Sequence, residues 1–110
     1  MRTLSLQELR DQLAARRYYV KDCTPTDSEA ALMTGNLACH NFSSLDDPSI
    51  IVVNFALGDH LDVRPTDTIQ IDDDNDVITI VRPARDPAER PVYEDERDWV
   101  RDITFTLSPC

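Results

Sequence analysis

The chain has 110 residues, with 21 Asp and Glu against 11 Lys and Arg, giving a formal net charge of −10 with both histidines neutral. A folded surface of about 6,200 Å² is expected and roughly 12,000 Å² can be buried, enough for one modest core, while the acidity excludes a conventional nucleic-acid binder. A hydrophobic fraction of 41% argues against wholesale disorder, no window approaches the ~18 apolar residues of a membrane span, and the N-terminus lacks the apolar run of a secretory signal.

Helix one is signalled by Ser5-Leu6-Gln7-Glu8, which has capping-box spacing, with Leu4 and Leu9 placed for a hydrophobic staple. Leu6, Leu9 and Leu13 then form one apolar stripe at helical spacing. Tyr18 to Cys23 reads as a short strand stopped by Pro25. Thr26 to Glu29 repeats the capping-box pattern before Ala30 to Met33, and Gly35 stands at a C-cap, so a short second helix is predicted there. Asn36 to Pro48 is polar and aperiodic and reads as a loop. Ile50 to Leu57, apolar except for Asn54, is the strongest strand and is expected to be central.

After the Gly58-Asp59 turn, His60 to Val63 alternates briefly before Pro65. Thr68 to Ile71 and Val77 to Val81 form the arms of a hairpin, with Ile69, Ile71, Ile78 and Ile80 for its buried face. Its tip, Asp72 to Asp76, carries four carboxylates and resists burial. Pro83, Pro87 and Pro91 mark residues 83–91 as an extended linker. Beyond it, Glu94 to Arg101 suits a short helix, and Ile103, Phe105 and Leu107 alternate as a last strand. The expectation is an α+β core domain over 1–82, a small, mainly antiparallel sheet with the N-terminal helix packed on one face. A C-terminal element over 92–110 is predicted to pack on the same domain.

The charge is uneven. Residues 1 to 21 carry +3, residues 22 to 81 carry −11, and residues 82 to 110 carry −2. An acidic, Lys-poor surface can serve solubility alone, but solvation in a salty cytoplasm would acidify every exposed element, which counts against it here. Basic groups are ten Arg against one Lys, planar forks that suit fixed ion pairs. Cys23, Cys39 and Cys110 are an odd number without paired spacing, which points to reduced thiols and a cytoplasmic, intracellular location.

Enzyme chemistry finds little footing. An EF-hand reading places Asp72, Asp74 and Asp76 at positions 1, 3 and 5, then meets Val77 where Gly is needed and Pro83 where Glu is needed. His60 and Asp62 have facial-triad spacing, but the other histidine, His40, lies upstream. Cys23, Cys39, His40 and His60 lack the close ligand pairs of structural zinc. Cys39 or Ser43 with His60 as a nucleophile and base gains no weight in so acidic a chain, and both glycines are isolated, so no phosphate cradle is present. No catalytic residue, metal or cofactor is assigned.

In size and charge, with no motif behind it, the chain resembles the short acidic inhibitors of phages and mobile elements, DNA mimics and anti-CRISPR proteins among them. The resemblance implies a non-enzymatic protein that occupies a basic, nucleic-acid-binding surface of its partner and gains affinity by displacing counterions, with no direct nucleic acid or membrane contact. One strand presents same-face carboxylates only every ~6.6 Å against a phosphate every ~1.7 Å of duplex, so several acidic elements must converge. The partner-binding candidates are Asp59, Asp62, Asp67, Asp72, Asp73, Asp74 and Asp76. The alternative is an assembly subunit, a homo-oligomer built through the C-terminal arm and final strand. Trp99 and Phe105 would then be either its interface anchors or fillers of the home core.

Overall fold

The capping box forms as the sequence predicts. Ser5 Oγ accepts the Glu8 N–H at 3.1 Å, and the Glu8 carboxylate accepts the Ser5 N–H at 3.0 Å, opening helix α1 (Leu6–Ala15) in a computed structural model that describes all 110 residues. Such a cap contributes about 1 kcal/mol. The stripe faces inward: Leu9 is fully buried, and Leu6 and Leu13 pack against the core. Arg10 at the stripe's edge donates to Ser43 Oγ at 3.1 Å, fixing the helix on the neighbouring sheet.

The strands are β1 (Arg2–Thr3), β2 (Tyr18–Thr24), β3 (Ala38–Ser43), β4 (Ile51–Phe55), β5 (His60–Val63), β6 (Thr68–Asp72), β7 (Val77–Arg82) and β8 (Ile103–Pro109). They divide into two antiparallel sheets, of five strands in the order β1-β6-β7-β8-β2 and three in the order β3-β4-β5. The fold is therefore α+β, with two sheets where the sequence suggested one. Alternation explains the packing, since inward residues of both sheets and Leu9 merge into a single cluster of 18 buried side chains. The accessible surface, 6338 Å², is close to that expected for the chain's mass.

Residues 35–37 tie the sheets together. The Gly35 N–H donates to the Val20 carbonyl at 2.7 Å, and the Leu37 carbonyl accepts the Ala56 N–H at 2.9 Å. Gly35 adopts φ +90°, a conformation that any side chain would strain.

Three local expectations are corrected. The second helix is only a 3₁₀ turn, Glu29–Met33, capped by Ser28; a five-residue segment gains too few hydrogen bonds to offset α-helix nucleation. The stretch read as a loop contains β3, whose pattern is hidden by a register shift between Ala38 and His40 and by small or polar inward residues such as Ala38, Asn41 and Ser43. The helix expected over Glu94 to Arg101 shrinks to a 3₁₀ turn, Glu96–Asp98, because Asp95 caps it by accepting the Arg97 N–H at 2.9 Å. The final strand lies inside the five-stranded sheet, paired with β7 on one side and β2 on the other.

No helix is long and apolar enough to cross a membrane. All three cysteines are free, and Cys39 and Cys110 are exposed. Cys23, only 2% exposed, has its thiol pushed up to about 11 by burial, with Asp98 and Asp22 adding to the effect. A thiol reagent at about pH 8 should therefore label two cysteines rapidly and Cys23 only on unfolding. Three equally fast thiols would contradict this placement.

Candidate functional site

The hairpin tip is a network. The Asp72 carboxylate accepts the Asp74 N–H at 3.0 Å and the Asn75 side-chain amide at 3.2 Å, closing the turn. Asp76 takes a left-handed conformation at φ 56°, which an Asp tolerates, and its carbonyl accepts the Tyr18 hydroxyl at 2.8 Å. Two arginines of the basic N-terminal block reach this tip. Arg2 grips Asp73 at two points, 3.1 and 3.0 Å, and Arg16 pairs with Asp76. The hydrogen bond from Arg2 holds the Asp73 carboxyl below the usual carboxylate range. Two of the four tip carboxylates are thus neutralised, Asp72 serves the turn, and Asp74 has no side-chain partner.

The other candidates lie elsewhere. Asp67 precedes β6 and Asp72 ends it, so they stand roughly 15 Å apart along the strand. The Asp67 side chain is 1% exposed, accepts the Arg64 N–H at 3.0 Å and faces Arg82 Nη2 at 3.6 Å. It is turned into the protein and not toward solvent. Asp59 accepts the Asn36 amide at 3.1 Å, and Asp62 lies 3.8 Å from His60. The acidic hairpin region therefore separates into a tip, Asp72, Asp73, Asp74 and Asp76, and a base, where Asp59 and Asp62 border a cleft of about 750 Å³.

That cleft runs between the Glu29–Met33 turn, β5 and residues 82–99. Its far wall is the Pro-spaced stretch, folded back by specific contacts. The Arg85 N–H donates to the Trp99 carbonyl at 2.6 Å, and the Arg85 guanidinium stacks 4.0 Å from the Trp99 ring centroid. Trp99 Nε1 donates to Glu94 at 2.9 Å, and Arg90 ties the carbonyls of Pro91 and Glu94. Beneath lies Phe105, with Arg82 5.7 Å from its ring centroid. Phe105 belongs to the core cluster, Trp99 is buried outside it against Arg85 and Glu94, and β8 is paired on both sides.

Comparison with protein-family models, with curated proteins and with solved structures gives no match. His40, Asn54 and His60 form one row across the outer face of the three-stranded sheet, Asn54 lying 3.1 Å from His40 Nε2. Ser43 bonds Arg10 and pairs with Ile51, three residues along β4 from the His60 row, so the Ser43 and His60 pair is not assembled. No group of three or more His, Cys, Asp or Glu side chains gathers where it could hold a metal ion. Arg64, Arg82 and Arg85 line the cleft and were not singled out from the sequence. The available signal was the excess of Arg over Lys, which says that forks are present without saying where they meet.

Proposed function

We propose that this is a small non-enzymatic protein that binds a basic protein surface of the kind that otherwise holds nucleic acid. One observation supports the reading above others. Only seven of the 21 carboxylates, Glu8, Asp27, Asp67, Asp73, Asp76, Asp95 and Asp98, pair with an arginine, so 14 carry their charge without one. Asp72 and Asp74 at the tip and Asp59 and Asp62 at the cleft belong to that set. Leu32, 81% exposed, stands on the cleft wall and supplies the apolar contact that charge alone does not. Arg2 and Arg16 reduce the field of the tip, so contact is assigned to the tip and the cleft mouth together.

Partner capture should weaken about tenfold or more between roughly 0.05 and 0.5 M salt and be released by competing duplex DNA. It should be lost on joint replacement of Asp72 and Asp74 by Asn with Asp59 and Asp62 by Asn. Affinity measurements on the partner recovered from host lysate test this. Salt-insensitive capture, or capture that the fourfold variant retains, would sink the reading.

A further inference from the structure

Four of the six carboxylates of the cleft accept a side-chain hydrogen bond, two of them from an arginine. Asp59 accepts from Asn36, Glu94 from Trp99, Asp95 from Arg97 and Asp98 from Arg101. Glu29 has no cationic partner, and Asp62 Oδ1, at 3.8 Å, faces only His60.

Two of the three arginines of the cleft, Arg64 and Arg85, have no carboxylate partner. Arg64 makes no side-chain hydrogen bond or salt bridge, although 21 carboxylates are available in the chain. Arg85 has one long bond, 3.4 Å to the Asp98 carbonyl, and no carboxylate. Arg82 serves the Asp62 carbonyl and Asp67 through Nη2 alone. The Nε atoms of Arg82 and Arg85 are closed off from water without an acceptor. Burial first, and then the neighbouring Arg82, push the Arg85 guanidinium below its ordinary pKa. Glu94 and Asp67 offset part of this effect without touching the guanidinium, so Arg85 is half-buried beside a second cation with no carboxylate in contact, and an anion at contact would be favoured there.

We infer that this cleft is a binding site for a small oxyanion, a carboxylate or a phosphate group, held by the planar forks of Arg64 and Arg85 with Arg82 beside them. Both anions offer the paired oxygens that a guanidinium fork matches. Six carboxylates, Glu29, Asp59, Asp62, Glu94, Asp95 and Asp98, line the same cleft, so an anion is held only where the guanidinium forks meet it at contact and not by a long-range positive field. The site shares its cleft with Asp59, Asp62 and Leu32 of the proposed partner surface, but it rests on the arginines and not on that reading.

Trp99, the chain's single tryptophan, stacks on Arg85 and reports on the cleft. The full chain is titrated with sodium phosphate and, separately, with sodium acetate, ionic strength being held constant with sodium chloride. A saturable change in Trp99 emission is expected with at least one of the two anions, together with a rise in the thermal midpoint. Response to phosphate alone assigns a phosphate-bearing ligand, response to acetate alone a carboxylate, and response to both the shared chemistry. Arg64→Gln should weaken binding about tenfold or more. Arg85→Gln, read by calorimetry because it alters the tryptophan's surroundings, should do the same, and Arg17→Gln, which is outside the cleft, should not. No saturable response and no midpoint shift with either anion up to about 100 mM, or an affinity that Arg64→Gln leaves intact, overturns the inference.

Discussion

Replacing Phe105 by alanine should lower the unfolding free energy by about 3–5 kcal/mol. The ring is 1% exposed, sits on the strand between β7 and β2, and faces the Arg82 guanidinium 5.7 Å from its centroid. Its loss removes apolar burial, opens a cavity in the core that β8, held by a ladder on each side, cannot shift to fill, and leaves Arg82 without its platform. A domain of this size holds roughly 5–15 kcal/mol in total, so the variant should lie close to the limit of folding. Urea unfolding checks it: the midpoint should fall at unchanged slope. Val92→Ala, at a side chain 94% exposed, should stay within about 0.5 kcal/mol of the parent. A Phe105→Ala loss below about 1 kcal/mol would mean that β8 is not a central strand.

The position of β8 also decides what a C-terminal truncation would report. Removing the chain after Pro91 takes away the strand that pairs with both β7 and β2, so the product measures folding and not assembly. Sedimentation of the intact chain is the experiment that addresses oligomerisation.

Elements governed by short-range chemistry were legible in the residues. Ser5 and Glu8 announce their helix because both partners of the capping box lie within one turn, and the β6–β7 hairpin follows from alternating isoleucines about a polar turn. β3 was not legible, since its register shift breaks the period of two and Asn41 and Ser43 stand where larger apolar residues would have marked an inner face. β1 is two residues long and exists only through its pairing with Ile71 and Gln70. Its sequence holds no signal.

The candidate site divided for a related reason. Asp67 and Asp72 are neighbours in the chain, but an extended strand separates them, and composition cannot tell that one is sealed against Arg82 while the other faces solvent at a turn. Adjacency of the basic helix ends to the acidic tip was equally hidden. Arg2 and Asp73 are 71 residues apart in sequence, and they meet because β1 pairs with β6. Arg64, Arg82 and Arg85 illustrate the same limit from the other side. Each looks like an ordinary surface cation in sequence, and only the return of residues 82–99 across β5 brings them to one cleft.

Replacing Asp67 by asparagine should cost about 3 kcal/mol of stability while leaving capture of a basic partner unchanged. The asparagine retains an oxygen for the Arg64 N–H but removes the charge facing Arg82, whose side chain is only 16% exposed. Removing one member of a buried pair leaves the other desolvated and unpaired, which commonly costs 3–5 kcal/mol. The lower end is expected here because Arg82 keeps its bond to the Asp62 carbonyl and stands 3.6 Å from Asp67. The companion variant Arg82→Met completes a double-mutant cycle, in which the joint replacement should be less destabilising than the two single effects added together. Urea unfolding of the four proteins supplies the stabilities, and the same four samples supply partner affinities. Asp67→Asn within about 0.5 kcal/mol of the parent would refute the buried pair. Weakened capture at unchanged stability would instead return Asp67 to the interaction surface, so the stability and affinity readouts together decide whether this carboxylate holds the cleft wall in place or meets the partner.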